Sequence, residues 1–330
     1  MNIGIIGLGV QGRIRLNMAR SINKDHRVIM VSDLVEPKSV DMSGITFTRN
    51  YMDIINAKNI DAVFVCTPNF LTSKIVVEAL QSGKHVFSEK PPGRNAFEMK
   101  QMVDAEKNNS GRKLMFGFNH RHHESMIHAK KIIDSGEIGK VLWMRGRYGK
   151  SVGNDFCNTW RAKRETAGGG IFLDQGIHML DLFLMMVDDF DEVKAYISNL
   201  FWKLDVEDNV FAIFRNKQGQ VASLHSTMTQ WRHMFSMEIF LEKGHIVING
   251  LLTTSGSYGQ EEMSVERNNA PGSAVSWQEQ ERRFYNINTS WEHEVKMFFD
   301  AIETNSNIAV GNSHDAYKLM KLVDKVYGEN

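Results

Sequence analysis

The chain has 330 residues, enough for two domains at the usual ~100–200 residues each. Its 39 basic side chains balance 39 acidic ones and 42% of the residues are hydrophobic, so we expect a globular protein with neither nucleic acid nor membrane as partner. No apolar run approaches the ~20 residues of a membrane-spanning helix. Cys66 and Cys157 have no metal-like spacing, and MNIGIIGLG lacks the basic start of a secretion signal. We therefore expect a cytoplasmic location.

The first 120 residues alternate short apolar runs with helical patterns, which indicates βαβ units and a parallel sheet. Each run is short, and the run at residues 62–66 is continuously apolar, as in a strand that is buried on both faces. The predicted strands are residues 3–7, 28–32, 62–66, 85–88 and 113–118, with helices between them near residues 12–22, 71–80 and 95–107.

The rhythm changes after residue 121. A helix at 124–134 leads to a strand at 141–148 and a long polar loop, and residues 208–250 have the pattern of a β-meander. Residues 253–276 are rich in Gly, Ser and Asn and are predicted to be a loop or irregular edge. Two helices close the chain. We predict one domain at residues 1–121 and a second at 122–330, with the last helix a candidate to pack back on the first domain.

The segment GLGVQG has the spacing G-x-G-x-x-G between a predicted strand and a predicted helix. Gly7 permits the tight turn, Gly9 the approach of a pyrophosphate, and Gly12 the close packing of helix and strand. Asp33 ends the next strand, 21 residues beyond Gly12, where a carboxylate accepts hydrogen bonds from a ribose and repels a 2′-phosphate. We therefore expect NAD rather than NADP, with Val10, Gln11 and Leu34 also beside it.

The carboxyl ends of parallel strands meet at the ligand edge of such a sheet. Further residues that end the predicted strands are therefore candidates for cofactor binding: Thr67, Pro68, Asn69, Glu89, Lys90 and Asn119. Lys90 precedes Pro91, which restricts its backbone. A lysine beside the nicotinamide could exchange a proton with a substrate hydroxyl.

The segment GGGIFLDQGIHMLDL predicts a buried helix that carries polar residues. Asp174 and His178 are four residues apart and are expected to share one face of that helix, with Gln175 about a quarter-turn away. Glycines 168–170 are expected to let the preceding loop pass close to ligand or cofactor.

The combination resembles the glucose–fructose oxidoreductase, inositol dehydrogenase and MocA (Gfo/Idh/MocA) family of oxidoreductases. The resemblance rests on GLGVQG, CTPN, SGKHVFSEKP, GFNHR, Trp160-Arg161 and GGGIFLDQGIHMLDL. It implies an α/β fold: a Rossmann doubly wound parallel sheet, then an α/β domain whose large, mostly antiparallel open sheet often builds dimers or tetramers. Lys90, Asp174 and His178 look like the family's catalytic set. Thr72 stands where many relatives have a histidine.

Arg121, Trp160 and Arg161 are candidates for substrate contact, since a guanidinium can clamp an anion and an indole can lie against a sugar ring. The histidines at 120, 122, 123 and 128 lack a matching carboxylate set, so we expect no metal.

The resulting hypothesis is an NAD-dependent sugar dehydrogenase in which a substrate hydroxyl sits between Lys90 and His178, either of which could be the base. The motifs look most similar to members that act on nucleotide-activated or acidic sugars of surface glycans. The alternatives are a free sugar or inositol dehydrogenase, a redox-neutral NAD-dependent glycosidase and a non-catalytic sensor. We expect a homodimer or homotetramer through the C-terminal sheet.

Overall fold

The computed structural model describes residues 1–23, 25–38, 40–268 and 279–328. The described residues form two compact units. The first contains Met1–Asn119, Glu165–Gly168 and Trp291–Met320, and the second His120–Arg164, Gly169–Ser290 and Lys321–Asn330.

The strands of the described residues follow one another along the chain in this order: β1 Asn2–Ile6, β2 Arg27–Ser32, β3 Thr46–Thr48, β4 Ala62–Val65, β5 His85–Glu89, β6 Leu114–Gly117, β7 Val141–Ser151, β8 Glu192–Ser198, β9 Asn209–Arg215, β10 Val221–Thr227, β11 Thr229–Leu241, β12 Gly244–Asn249, β13 Glu261–Arg267 and β14 Glu281–Tyr285.

The α-helices of the same residues are α1 Val10–Ile22, α2 Met52–Asn56, α3 Asn69–Gln81, α4 Ala96–Asn108, α5 Glu124–Ser135, α6 Arg164–Ala167, α7 Ile177–Val187, α8 Ser290–Glu303 and α9 Ser313–Gly328. Short 3₁₀ turns lie at Asn119–His122, Asn154–Asn158 and Trp160–Ala162, and a π-helical turn, Phe172–Gly176, leads directly into α7.

The first unit is built on a parallel sheet with strand order β3-β2-β1-β4-β5-β6. All four residues of β4 are buried, as expected for a central strand that is covered on both faces. Helix α8 contributes Val295, Phe298 and Phe299 to the same apolar core as Ile3 and Phe64. Burial of this face places α8 in the first unit.

The second unit is built on a sheet with order β14-β13-β12-β11-β7-β10-β9-β8. Its pairs are antiparallel except for β7 and β10, which run parallel. Residues alternate along β9, with Val210, Ala212 and Phe214 buried. Helix α7 packs against β7 and β10, and α5 packs against β13. The predicted fold class, a Rossmann sheet followed by a mostly antiparallel open sheet, is confirmed.

Three details of the sequence interpretation were wrong. The predicted meander at 208–250 is interrupted, since β7 lies between β10 and β11. Residues 261–267, predicted as a loop or irregular edge, form strand β13, which is no edge because it pairs with both β12 and β14. Residues 269–276 of that predicted segment lie outside the described residues. The continuous division at residues 121 and 122 also omits the segments Glu165–Gly168 and Trp291–Met320, which belong to the first unit.

One helical stretch, Arg164–Val187, is long and apolar enough to cross a membrane by length and composition, contrary to the expectation that no run approached that length. Of its most apolar 18 residues, 78% are buried inside the protein. That degree of burial is typical of a core helix in a folded domain.

Candidate active site

The glycine loop of the first unit joins β1 to α1 and has little room for side chains at two of its three glycines. Gly7 has a φ of +92°, and a Cβ there would lie 2.5 Å from the carbonyl oxygen of Cys66. A Cβ on Gly12 would lie 1.9 Å from the carbonyl oxygen of Gly7. At Gly9, among the described residues, nothing lies within 4 Å of the added atom. Gly7 and Gly12 thus shape the loop, and Gly9 leaves space for a ligand.

Asp33 connects the end of β2 to this loop. Its carboxylate accepts hydrogen bonds from the backbone N–H of Leu8 and of Leu34, both at 2.6 Å. Val10, at the start of α1, and Leu34 are 75% and 83% exposed. An open helix start beside an anchored carboxylate fits the pyrophosphate and ribose of a dinucleotide.

Two buried polar atoms near this edge have no hydrogen-bond partner among the residues that the structure describes. They are Oε1 of Gln11 on α1 and Oγ1 of Thr67, which follows β4. A buried polar group normally has a partner, so these atoms fit contact with a bound polar ligand such as the dinucleotide.

The other predicted cofactor residues lie at the ends of the neighbouring strands. Pro68 precedes α3, and Nδ2 of Asn69 donates to the carbonyl of Ala167 at 2.7 Å, so this amide holds the Glu165–Gly168 segment. Lys90 follows β5 and its bond to Pro91 is cis. Asn119 is buried at the start of a 3₁₀ turn after β6.

Glu89 was predicted to bind cofactor, but its carboxylate has another partner. Oε1 accepts from Nε of Arg15 at 2.6 Å, and both side chains are buried. The same guanidinium pairs with Glu294 at 2.7 Å and lies over the rings of Phe87 and Trp291. Glu89 therefore balances a charge buried in the core, because an unpaired guanidinium there would be costly.

The second unit carries Asp174 on the π-helical turn that precedes α7. Its carboxylate pairs with Nζ of Lys150 from β7, and Arg161 lies 4.0 Å away. The predicted regular helix across residues 172–178 is wrong at this point, since the π turn widens the backbone before α7 begins.

His178, near the start of α7, is buried against a second histidine. Its ring stacks on His120 with centroids 3.8 Å apart and planes 17° apart. Nε2 of His120 lies 3.0 Å from the hydroxyl of Tyr148 on β7. Tyr148 in turn hydrogen-bonds Tyr258, and burial raises the pKa of both phenols.

The loop before the π turn is held by Glu207 rather than left open. Its carboxylate accepts from the N–H of Gly170 at 2.8 Å, the N–H of Phe172 at 3.1 Å and the hydroxyl of Tyr327 at 2.9 Å. A Cβ on Gly169 would lie 1.9 Å from the Tyr327 hydroxyl, and one on Gly170 would lie 2.2 Å from the Glu207 carbonyl oxygen. The expectation that glycines 168–170 let the loop approach a ligand is therefore wrong for Gly169 and Gly170, because the space at these two is filled by Tyr327 and Glu207.

Arg121 was predicted to contact substrate, but the structure gives it a protein partner. Its Nε and Nη2 bind the two oxygens of Asp181 on α7 at 2.7 and 2.6 Å, and both residues are buried. This bidentate pair occupies the guanidinium fork and fixes the Asn119–His122 turn to α7.

Trp160 and Arg161 form a small surface of their own. The guanidinium carbon of Arg161 lies 4.4 Å from the centre of the Trp160 ring, and the Arg161 side chain is 46% exposed. Gln175 is partly buried, and its Oε1 has no hydrogen-bond partner in the described part of the chain. These three residues remain candidates for substrate contact.

The histidine cluster is divided among several partners. His120 contacts Tyr148 and His178, His123 pairs with Glu261 at 2.8 Å, and His128 lies 2.9 Å from the Tyr285 hydroxyl. In the described ranges, no group of three or more His, Cys, Asp or Glu side chains could hold a metal ion.

Four residues at this site were not predicted from the sequence: His120, Tyr148, Lys150 and Tyr258. Lys150 and Tyr148 lie on β7, far in sequence from α7, and Tyr258 lies in a glycine- and serine-rich loop. Only His120, in the GFNHR motif next to Arg121, carried a signal, as part of the dismissed metal cluster.

Comparison with known proteins gives matches to two family models. Residues 1–118 match "Oxidoreductase family, NAD-binding Rossmann fold", and residues 126–247 match the Gfo/Idh/MocA C-terminal domain. Residues 1–118 therefore contain an NAD-binding domain, and the predicted cofactor is confirmed.

Two curated relatives and one solved structure illustrate the similarity. The chain is 30% identical to levoglucosan dehydrogenase of Pseudarthrobacter phenanthrenivorans over 61% of its own length and 58% of the relative's. It is 29% identical to inositol 2-dehydrogenase of Salmonella typhimurium over 59% and 57%. The match thus spans less than two thirds of these relatives. A structure of levoglucosan dehydrogenase with NADH and levoglucosan superposes with TM-score 0.87 at 23% identity, covering 100% of this chain and 96% of that one.

The two family models together span most of the chain and match the two sheets in the order in which they occur. The solved structure shares this fold. The chain belongs to the Gfo/Idh/MocA family of oxidoreductases.

Proposed function

We propose that the protein is an NAD-dependent dehydrogenase that transfers a hydride between the nicotinamide and a ring carbon of a sugar or cyclitol. The observation that carries the proposal is that the chain keeps Lys90 after β5 and a buried His178 four residues after Asp174, in a member of an NAD-binding oxidoreductase family. Relatives named for levoglucosan and inositol support a cyclic polyol as substrate.

NAD, when bound, supplies the hydride acceptor, and the protein's side chains handle the proton and the substrate hydroxyls. Lys90 and His178 are the two candidates for the group that takes the proton from the reacting hydroxyl. Asp174 is balanced by Lys150 and lies near Arg161, so its carboxylate can stay ionised and accept a hydrogen bond from a neighbouring hydroxyl.

The preference for NAD over NADP follows from Asp33. Its carboxylate is fixed by the N–H groups of Leu8 and Leu34, so it cannot move away from a ribose without breaking the loop. A 2′-phosphate brought to this carboxylate would be repelled.

A narrower substrate class is favoured by the Trp160–Arg161 surface. An exposed guanidinium that lies over an indole can bind a phosphate or carboxylate while the ring contacts a sugar face. We therefore include nucleotide-activated or acidic sugars as a second candidate, beside free sugars and inositols.

The direct test is NADH absorbance at 340 nm after purified protein and NAD are mixed with free sugars, anhydrosugars, inositols, sugar acids and nucleotide sugars. We expect NADH to form with at least one cyclic polyol. Reduction of NAD to NADH should be faster than reduction of NADP to NADPH. NAD binding with no reduction of NAD by any of them would contradict the proposal. That result would favour the redox-neutral glycosidase or the sensor. Release of the leaving group from a glycoside would then indicate the glycosidase, and no release would indicate the sensor.

We also propose a homo-oligomer in the cytoplasm. The face of the second sheet opposite α7 exposes Tyr196, Phe211 and Ile213, and Trp143 there stacks on Phe240 with ring centroids 4.0 Å apart. Exposed apolar residues grouped on one sheet face are typical of an interface between subunits.

A further inference from the structure

The second unit contains a line of aromatic side chains that ends at His178. It starts at Tyr258, passes through the hydroxyl of Tyr148 to Nε2 of His120 at 3.0 Å, and continues by the stack of His120 on His178. Tyr148, His120 and His178 are each at most 5% exposed. Such a buried polar chain is costly unless each member is satisfied, and it fixes the orientation of its rings.

Tyr148 and Tyr258 keep their hydroxyl protons throughout the pH range in which histidine titrates, because the pKa of each phenol is raised. Burial raises the pKa of Tyr148 well above its usual value, and the neighbouring Tyr258 and Asp174 raise it further. Burial, opposed in part by the hydrogen bond from Tyr148, also raises the pKa of Tyr258. Each hydroxyl can therefore donate one hydrogen bond and accept another, which lets Tyr148 bridge Tyr258 and His120.

We infer that His120 and Tyr148 are positioning residues that act through His178: Tyr148 holds His120, and the stacked His120 ring fixes the orientation and limits the charge of His178. The charge argument follows from the stack. Two protonated imidazoles with centroids 3.8 Å apart repel each other, so the pair takes its second proton much less readily than its first.

The acidic neighbour of the two tyrosines already has a cationic partner. Asp174, the acidic group that raises the pKa of Tyr148 and Tyr258, is itself paired with Lys150. Three other titratable or charged groups of this unit have described partners or contacts: His123 with Glu261, Arg121 with Asp181, and His233 with Tyr258. The ring of Phe235 also lies next to this line, with its centroid 5.3 Å from that of Tyr148 and 6.2 Å from that of His120.

The consequence for turnover depends on the proposed function. If His178 exchanges a proton with the substrate, a ring held in one orientation reacts faster than one that rotates, because less ordering is needed at the transition state. Loss of the Tyr148 hydroxyl, which holds His120, should therefore lower kcat and leave cofactor affinity unchanged.

The test compares the full-length protein with Tyr148→Phe and His120→Phe. Both changes keep a ring in place, and Tyr285→Phe, which removes the hydroxyl 2.9 Å from Nδ1 of His128 in the same unit, is the matched control. Histidine labelled with ¹³C at Cε1 reports each imidazole by NMR between pH 4 and 9, and the His178 signal is assigned by its loss in His178→Ala. NADH affinity is measured by fluorescence and kcat by absorbance.

We expect the wild-type His120 and His178 signals to share two separate titration steps and His178 in His120→Phe to titrate in one. Tyr148→Phe should lose roughly tenfold in kcat, the effect of about one hydrogen bond, with KM and NADH affinity within about twofold. An unchanged His178 titration in His120→Phe, or wild-type kcat in Tyr148→Phe, would overturn the inference. If His120→Phe does not fold, Tyr148→Phe decides. If the wild-type protein oxidises no polyol, the proposed function fails, and the titration still decides this inference.

Discussion

The glycines of the loop between β1 and α1 have different roles: Gly12 shapes the loop, and Gly9 leaves space for the cofactor. We expect Gly12→Ala to lower the free energy of unfolding by about 2–3 kcal/mol, because its Cβ would lie 1.9 Å from the Gly7 carbonyl oxygen and the backbone must move. Gly9→Ala is the matched change in the same loop. It meets no atom within 4 Å in the described residues, so it should fold normally and lose NADH affinity about tenfold.

Denaturant unfolding and NADH fluorescence on both variants check this prediction. Equal loss of stability in the two, or full NADH affinity in Gly9→Ala, would contradict the assignment of roles within the loop.

The buried pair of Arg121 and Asp181 belongs to the framework of the second unit. Arg121→Met should lower the free energy of unfolding by about 3–5 kcal/mol, because it leaves the Asp181 carboxylate charged and buried. The double change Arg121→Met with Asp181→Leu removes both charges and should recover most of that loss. Denaturant unfolding of the three proteins measures this, and a double variant no more stable than the single one would disprove the coupling.

These residues also show what sequence alone can give. The glycines, Asp33, Lys90, Asp174 and His178 follow patterns whose residue types and spacing predict cofactor binding and proton transfer. Glu89 and Arg121 stand in the same motifs, and only the structure reveals the partners Arg15 and Asp181 that occupy them. Those partners lie 74 and 60 residues away, a distance that no local spacing encodes.

Strand β5 begins with His85, whose protonated form is disfavoured in the folded protein. Burial, together with Arg112 and Lys113, lowers the pKa of His85 to about 4, and its neutral Nδ1 accepts from the N–H of Lys113 at 3.1 Å. The unfolded chain binds this proton near pH 6.5. The resulting stabilisation is fully present above about pH 6.5 and is lost as the pH falls toward 4.

We therefore expect His85→Asn to weaken the acid dependence of stability between pH 6.5 and 4, since the Asn oxygen can replace Nδ1 as acceptor without taking a proton. His293→Asn on α8 controls for the loss of any histidine. Urea midpoints at four pH values for the three proteins give the result. Parallel pH curves for His85→Asn and wild type would contradict the prediction.

Elements with a local signal were predicted well. The continuous apolar run of β4, the N-terminal helix α1 and the hairpins β9–β10 and β11–β12 are all present. Insertion of β7 between β10 and β11 was not predictable, because pairing order depends on distant strands and not on turn chemistry. The π turn before α7 was also missed, since its residues have the same apolar pattern as a regular helix.

At the scale of the whole molecule, the exposed outer face of the second sheet predicts association of several copies. Wild-type protein should have the mass of at least two chains in light scattering, and Ile213→Glu should shift it toward one, because a charge buried in an apolar interface is costly. Lys217→Glu, on the exposed β9–β10 turn, should leave the mass unchanged. A wild-type mass of one chain would contradict the proposal.

The central claim is the proposal that this family member oxidises a cyclic polyol and that Lys90 and His178 both take part in turnover. The most direct measurement is NADH formation at 340 nm by wild type, Lys90→Met and His178→Ala with the best substrate, beside NADH affinity of each. The account predicts turnover in wild type, a loss of at least about a hundredfold in each variant and NADH affinity within about threefold of wild type in all three. Full turnover in either variant would remove that residue from the mechanism, and full turnover in both would contradict the account.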